Sequence, residues 1–269
     1  MDRLYACVSE VMADIGDDTK PHSELLYRCI RSASSWIDRR AGWFIPTTET
    51  RRFDGDGTGR LRVDPLLAVT TLVDDATTLT STDYLLYPRG RHWENGPYTS
   101  IEIDPDSSHG FWSDERDAIA ITGRWGKYEE SIALSGVTVA NTTQITDSET
   151  TLKVANGPAV SPGMVLKIES EQVLVTGISD LSAGEYVIKR GINGTAAAAH
   201  ANGVAISRYV PPDDVGYLCR HMAAVMREKA RSKFAGKVGN AELGEAFYFQ
   251  EFPKDPIKQV VGNYRIVRL

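Results

Sequence analysis

The sequence predicts an α+β protein: a helical core carrying a small β-sheet, with an all-β barrel or sandwich inserted into it. Three observations lead there. Two long stretches repeat their apolar residues every three to four positions, as amphipathic helices do. The stretch from 50 to 125 switches toward a period of two. Composition then changes abruptly: all five tryptophans lie at or before Trp125, and Tyr186 is the sole Phe, Tyr or Trp between Val137 and Ser207.

Near the N-terminus, Leu4, Cys7, Val8, Val11 and Met12 have helical spacing, but the run is too short to persist unless it packs on something. Gly16-Asp17-Asp18 breaks it. A stronger helix is predicted from about Pro21, suited to a first turn, to Arg40, with Leu25, Leu26, Cys29, Ile30, Ala33, Trp36 and Ile37 as its apolar stripe and Gly42 as its stop. Short strands follow: Leu61 and Val63, then Leu67, Val69 and Leu72, then Tyr84 to Tyr87, Thr99 to Ile103 and Ala118 to Thr122. This portion reads as a small sheet packed on the long helix.

Beyond it, alternating segments at Thr151 to Val154, Val165 to Ile168, Gln172 to Val175, Tyr186 to Lys189 and Val204 to Ser207 are separated by turn signals. Those signals are Asn156-Gly157, Pro162-Gly163, Asn193-Gly194 and Asn202-Gly203. A second long helix starts at Pro211-Pro212-Asp213-Asp214, with Asp213 as N-cap, and fades near Lys233. Its stripe is Val215, Leu218, Cys219, Met222, Val225 and Met226. Asp255-Pro256 starts one more short helix through Val261. The expected organisation is a discontinuous core of 1–126 and 210–269, an inserted β domain of 127–209, and a C-terminal arm of 237–269.

At 269 residues and 42% hydrophobic, the chain can bury one large core or two smaller ones. No apolar run is long enough for a membrane span, and Met1-Asp2-Arg3 does not begin a secretory signal. Cys7, Cys29 and Cys219 are an odd number far apart, and Cys29 and Cys219 fall on apolar helical faces, which favours buried free thiols in a reducing compartment. No Cys or His spacing suits zinc. The formal charge of −6 argues against a protein whose main task is gripping nucleic acid.

In order along the chain stand Ser35-Trp36-Ile37-Asp38-Arg39-Arg40-Ala41-Gly42, Thr50-Arg51-Arg52-Phe53-Asp54-Gly55-Asp56-Gly57, Leu61-Arg62-Val63-Asp64, Leu66 to Val73, Asp83-Tyr84-Leu85-Leu86-Tyr87-Pro88, and Ile119 to Trp125. In that order these segments resemble the head–tail connector (adaptor) proteins of long-tailed bacteriophages. In that family a strand ending Gly-x-Trp-Gly passes almost directly to a helix introduced by Val-Pro-x-Asp. Here Gly123, Trp125 and Gly126 match one side, and Val210, Pro211 and Asp213 or Asp214 the other. The segment between them is similar to a β-module of phage virion proteins, through Gly163 to Ile168, Glu171, Val173 to Thr176, Arg190-Gly191-Ile192-Asn193-Gly194-Thr195 and His200.

The resemblance implies a non-enzymatic virion protein at the neck, assembled in the host cytoplasm, which joins the portal of the head to the tail terminator or stopper. It implies a homo-oligomeric ring, commonly of about twelve subunits, with the long helices as staves. Genomic DNA would pass through the channel without specific binding; a channel wall sharing the chain's acidic sign would not hold it. No membrane partner and no cofactor are implied. The competing class is a surface- or carbohydrate-binding β-module on a helical stalk, which exposed aromatics in the insertion would favour.

Several segments imitate reactive sites. Asp54-Gly55-Asp56-Gly57-Thr58-Gly59 opens like a calcium loop, yet its twelfth position is Pro65 where a bidentate Glu belongs, so a glycine-rich hairpin turn is the better account. Arg190 to Thr195 lacks the Lys and following helix of a phosphate loop and reads as a structural turn. His200 reads as a hydrogen-bonded turn residue. Glu102, Asp104 and Asp106 alternate as a solvent-facing edge would. Arg227, Lys229, Arg231, Lys233 and Lys237 complement a helix C-terminus.

The tail carries Phe247, Phe249, Phe252, Ile257, Val260, Val261, Tyr264, Ile266, Val267 and Leu269. It either folds back on its own domain or docks into a neighbour. The family resemblance implies that this portion engages the portal.

Overall fold

The computed structural model describes residues 2–17, 23–89, 97–232, 237–238, 247–248 and 252–264. The chain divides into two compact units, Trp43–Glu130 on one hand and Met1–Gly42 with Ser131–Leu269 on the other.

The first unit is a six-stranded antiparallel sheet: β1 (Thr47–Phe53), β2 (Arg60–Asp74), β3 (Thr77–Leu79), β4 (Tyr84–Tyr87), β5 (Tyr98–Ile103) and β6 (Ile119–Trp125). Strand order is β1-β6-β2-β5-β4, with β3 paired to β2. β6 alternates strictly, burying Ile119, Ile121, Gly123 and Trp125. The side chains of Ile119, Ile121 and Trp125 make the unit's own core with Leu61, Leu66, Leu72, Leu79, Ile101, Ile103 and Trp112.

The sequence suggests two short strands where β2 runs unbroken through Pro65. Register shifts between Arg62 and Leu66 toward β5, and on either side of Ala68–Val69 toward β6, absorb the proline that a regular ladder would reject. Each shift changes which residues face inward, so Leu66 is buried while Leu67 and Val69 are only half-buried.

In the second unit, α1 (Val8–Asp14) and α2 (Glu24–Ala41) precede the β-rich segment, and α3 (Asp213–Arg231) and α4 (Lys254–Tyr264) follow it. α2 is capped by Ser23, whose hydroxyl accepts from the Leu26 amide, and stops at Gly42 with φ of 92°. Its buried stripe is Leu26, Tyr27, Cys29, Ile30, Ala33, Ser34, Ile37, Asp38 and Ala41. Leu25 and Trp36, expected in that stripe, are exposed and half-buried respectively, because the packed face is centred about one residue further round. α3 buries Val215, Leu218, Cys219, Met222 and Val225 and packs on α2; Asp213 is its first residue, and Pro212 takes the cap position.

The β-rich segment comprises β7 (Ser131–Thr138), β8 (Gln144–Ile145), β9 (Thr151–Lys153), β10 (Val165–Ile168), β11 (Glu171–Asp180), β12 (Glu185–Lys189), β13 (His200–Ala201) and β14 (Ala205–Tyr209). Six strands form a sheet in the order β7-β14-β10-β11-β12-β9, and β8 pairs with β13. The sheet curls until the end of β7 meets the end of β9. A bridge joins Val139 to Val154, and the Ala140 amide donates to Lys153 and the Ala155 amide to Thr138. Its apolar core includes Val139, Leu152, Leu166, Val173, Tyr186 and Ile206, and also Cys7 from the chain's N-terminal segment.

That N-terminal segment ties the β-rich segment to the helices. Asp2 pairs with Lys189 and Glu10 with Arg208 on the β side. Arg3 pairs with Asp38 of α2, and Asp14 with Arg220 of α3. The Val8 amide donates to Pro162, and the Ser9 amide to the Ser161 hydroxyl. The two-residue strands β15 (Lys237–Val238) and β16 (Phe247–Tyr248) pair with each other.

The expected fold class is overturned in its emphasis. Among the described residues strands account for 36% and helices for 25%, so this part of the protein is mainly β and does not support a helical core carrying a minor sheet. Long helical stripes announce themselves in sequence because one period runs unbroken for five turns. Strands interrupted by bulges do not.

Candidate functional site

The densest polar cluster lies where the β-rich segment carries its most distinctive motif. Glu171, the first residue of β11, is fully buried. Its Oε1 accepts from Arg190 Nε at 2.7 Å and from the Gly191 amide at 2.9 Å. Its Oε2 accepts from a terminal guanidinium nitrogen of Arg190 at 2.7 Å, from the Ala198 amide at 3.1 Å and from His200 Nε2 at 2.8 Å. Burial alone would raise this carboxyl; the donors from Arg190, His200, Ala198 and Gly191 outweigh it and bring the pKa down to about 2.

Arg190 spends its remaining donors on the carbonyls of Thr146, Glu149 and Ala198. His200 faces two carboxylates, with Nδ1 at 2.7 Å from Glu169 and Nε2 on Glu171. Asn193 donates to Gln172 at 2.9 Å, and the Gln172 amide donates to the Thr195 hydroxyl at 3.0 Å. Arg190, Gly191, Asn193, Thr195 and His200, scattered through an apparent loop motif, therefore converge on the start of β11. The cluster clamps the 190–200 loop; its donors already point at protein acceptors and are not free to cradle phosphate.

The calcium-like loop is equally committed. Asp56 accepts from the Thr58 amide and hydroxyl, and Asp54 from the Asp117 amide at 2.8 Å. The loop is not the expected hairpin turn, because β6 inserts between β1 and β2 and pairs with both. Gly55 is required there: a Cβ at this position would lie 1.8 Å from the Ser113 carbonyl oxygen. Of the acidic trio, Glu102 pairs with Arg60 at 3.4 Å and Asp104 accepts from the Asp106 amide at 2.9 Å. The three do not share a site.

Sequence reasoning missed a second buried carboxylate. Asp74, 2% exposed at the end of β2, accepts from His109 Nε2 at 2.7 Å, the Ser113 hydroxyl at 2.6 Å and the Ser113 amide at 3.0 Å. Serine and histidine both address the aspartate and do not address each other, so this is an anchor for the 105–117 loop and not a nucleophile relay. The partners lie 35 and 39 residues from Asp74, and no local spacing signals them.

The three cysteines are buried and free. Burial pushes the Cys7 thiol up to about 11 and Cys219 up to about 12. Among the described residues, no group of three or more His, Cys, Asp or Glu side chains is arranged to hold a metal ion. No helix among them is long and apolar enough to cross a membrane.

Of the tail residues singled out from sequence, Phe249, Ile266, Val267 and Leu269 lie outside the described residues, and Phe247 is placed only as backbone paired with Val238. α4 packs against α3 and α2. Val260 is its buried residue, Ile257 and Val261 are half-buried, and Tyr264 donates to Asp214 at 3.0 Å. Phe252 is exposed, with Lys229 Nζ 5.2 Å from its ring centre. The basic end of α3 is partly neutralised. Arg227 pairs with Asp17 and Glu228, and Arg231 with Glu228; Lys233 and the Lys237 side chain lie outside the described residues.

No family model matches the chain, and no curated protein matches its sequence.

Proposed function

We propose that this chain is a structural, non-enzymatic protein of a phage virion, which joins the portal of the head to the tail terminator or stopper as a ring around the DNA path. The observation that carries the reading is the pairing of Ser131 with Tyr209, the first residue of β7 and the last of β14. Paired residues in an antiparallel ladder sit about 5 Å apart. The β-rich segment therefore leaves the chain where it entered, as a module spliced into a loop must. The splice falls between Gly123-x-Trp125-Gly126 and Val210-Pro211, the two motifs that resemble the connector family.

The competing reading, a sugar- or surface-binding module on a stalk, loses its aromatic platform. Tyr186 is fully buried and donates its hydroxyl to the Gly157 carbonyl.

Negative-stain images of the purified protein test the proposal. Rings with a central hole are expected; compact monomers or trimers with affinity for glycans would overturn it. Removal of Phe247 to Leu269 tests the assignment of the tail to the portal: heads lacking this segment are expected to fail to join tails, and normal joining would remove the assignment.

A further inference from the structure

The net charge of −6 conceals a segregation of signs that only the burial pattern of α2 reveals. The buried stripe of this helix occupies one side. On the other stand Arg28, Arg31, Ser32, Arg39 and Arg40, all exposed, with Ser35 and Trp36 half-buried between them. At 100° per residue, Arg28, Ser32, Ser35 and Arg39 form a single line, with Arg31 and Trp36 each about 70° to either side of it; Arg40 lies about 110° round, toward the buried stripe, and is exposed because it stands in the last turn. The helix carries two acids. Asp38 faces inward and is held by Arg3 and Tyr5, which leaves Glu24 in the first turn as the outer face's sole carboxylate.

Elsewhere in this unit arginines are matched to acids: Arg190 to Glu171, Arg208 to Glu10, Arg220 to Asp14, Arg227 to Asp17. Among the described residues no carboxylate forms an ion pair with Arg28, Arg31, Arg39 or Arg40. Two of them lie against rings: the Arg31 guanidinium is 5.9 Å from the Tyr27 ring centre and that of Arg40 5.3 Å from Trp36. The helix dipole accounts for Arg39 and Arg40 in the last turn but gives no reason for Arg28 and Arg31, which stand nearer the N-terminus.

We propose that this face of α2 is a contact surface for the phosphate backbone of DNA, bound without regard to sequence. The four guanidinium groups span about 18 Å of helix, each a planar fork that matches a phosphate. Ser32 and Ser35 add hydroxyl donors along the same line, and Trp36 offers a half-open ring beside it. A face with almost no acid suits a polyanion of uniform sign. Protein surfaces usually intersperse both signs, whereas the phosphates of DNA repeat one sign along the whole contact. The expectation that DNA passes an acidic wall untouched then holds for the chain's net charge and not for this face. The contact does not rest on the assembly role, because it is read on the isolated protein.

Fluorescence anisotropy of the full-length protein with a short labelled DNA duplex tests it. Binding is expected at low salt, weakening with a log–log slope of about −3 to −4 for four phosphates, or roughly 100-fold between about 50 and 200 mM salt. Arg28→Gln with Arg31→Gln is expected to reduce the slope by about 2, and all four substitutions together to abolish binding, whereas Lys258→Gln on α4 leaves it unchanged. These side chains are exposed, so circular dichroism is expected to show the variants folded. Absence of wild-type binding at low salt, or wild-type affinity in the folded quadruple variant, would overturn the proposal. So would tighter binding to polyglutamate than to DNA, which would make the face a site for an acidic protein.

Discussion

Arg190 grips both oxygens of the Glu171 carboxylate at 2.7 Å, and both side chains are almost wholly removed from solvent, at 6% and 0% exposure. The two residues lie nineteen positions apart. Their pairing closes the 190–200 loop over the start of β11. Removing one partner leaves the other charged and buried, which is the costly outcome for an internal ion pair. Glu171→Gln or Arg190→Met is therefore expected to destabilise the protein by about 3–5 kcal/mol. Denaturant unfolding checks this, and a change below about 1 kcal/mol would show the pair to be incidental.

Two carboxyls make opposite contributions as acid is added. Glu171 has a folded pKa of about 2, below its ordinary value of 4.5, so its stabilisation is complete above 4.5 and is lost as pH falls through about 2. Burial pushes Asp38 up to about 6 from 3.8 in spite of its bonds to Tyr5 and Arg3. Its contribution is complete below 3.8 and is lost as pH rises through about 6. Unfolding midpoints measured across this range are expected to lose slope between 6 and 3.8 in Asp38→Asn, and between 4.5 and 2 in Glu171→Gln.

The aspartate–glycine loop discriminates between packing and ion binding. A Cβ on Gly55 meets the Ser113 carbonyl oxygen at 1.8 Å, while one on Gly59 meets nothing within 4 Å. Gly55→Ala is expected to lower stability by about 1–3 kcal/mol and Gly59→Ala to leave it unchanged or slightly raised. Added calcium is expected to leave the thermal midpoint where it was. A midpoint raised by calcium would restore the ion-binding reading.

α4 is anchored by a buried valine and a tyrosine hydroxyl. Val260→Ala removes about two buried carbon groups and is expected to cost about 2 kcal/mol. Tyr264→Phe removes a donor to the Asp214 carboxylate and is expected to cost about 1.5–3 kcal/mol. Both changes should speed limited proteolysis after α3. Unchanged proteolysis in the double variant would mean that α4 is held by other contacts.

Much of the architecture was legible because it is written locally. The stripes of α2 and α3, the start of α4, the strands from 165 to 189 and the alternation of β6 all follow from side-chain periodicity within a dozen residues. Errors concentrate where periodicity is interrupted or a partner is distant. β2 looks like two strands in sequence because Pro65 and its bulges shift the phase of the inward residues. The Asp54–Gly59 loop resembles a hairpin turn because nothing near it in sequence announces that β6 separates its two strands.

The cluster around Glu171 divides the two sources of information most clearly. Sequence by itself determined that Arg190, Gly191, Asn193, Thr195 and His200 form a compact turn-rich motif, and that Cys29 and Cys219 face apolar surroundings, since these are properties of neighbouring residues and their spacing. Only the tertiary structure decided that the motif closes on Glu171, that Asp74 gathers His109 and Ser113, and that the arginines of α2 stand apart from the acids that neutralise the others. Hydrogen bonds and ion pairs form between atoms a few ångströms apart, and the chain brings such atoms together only after its strands have chosen their partners.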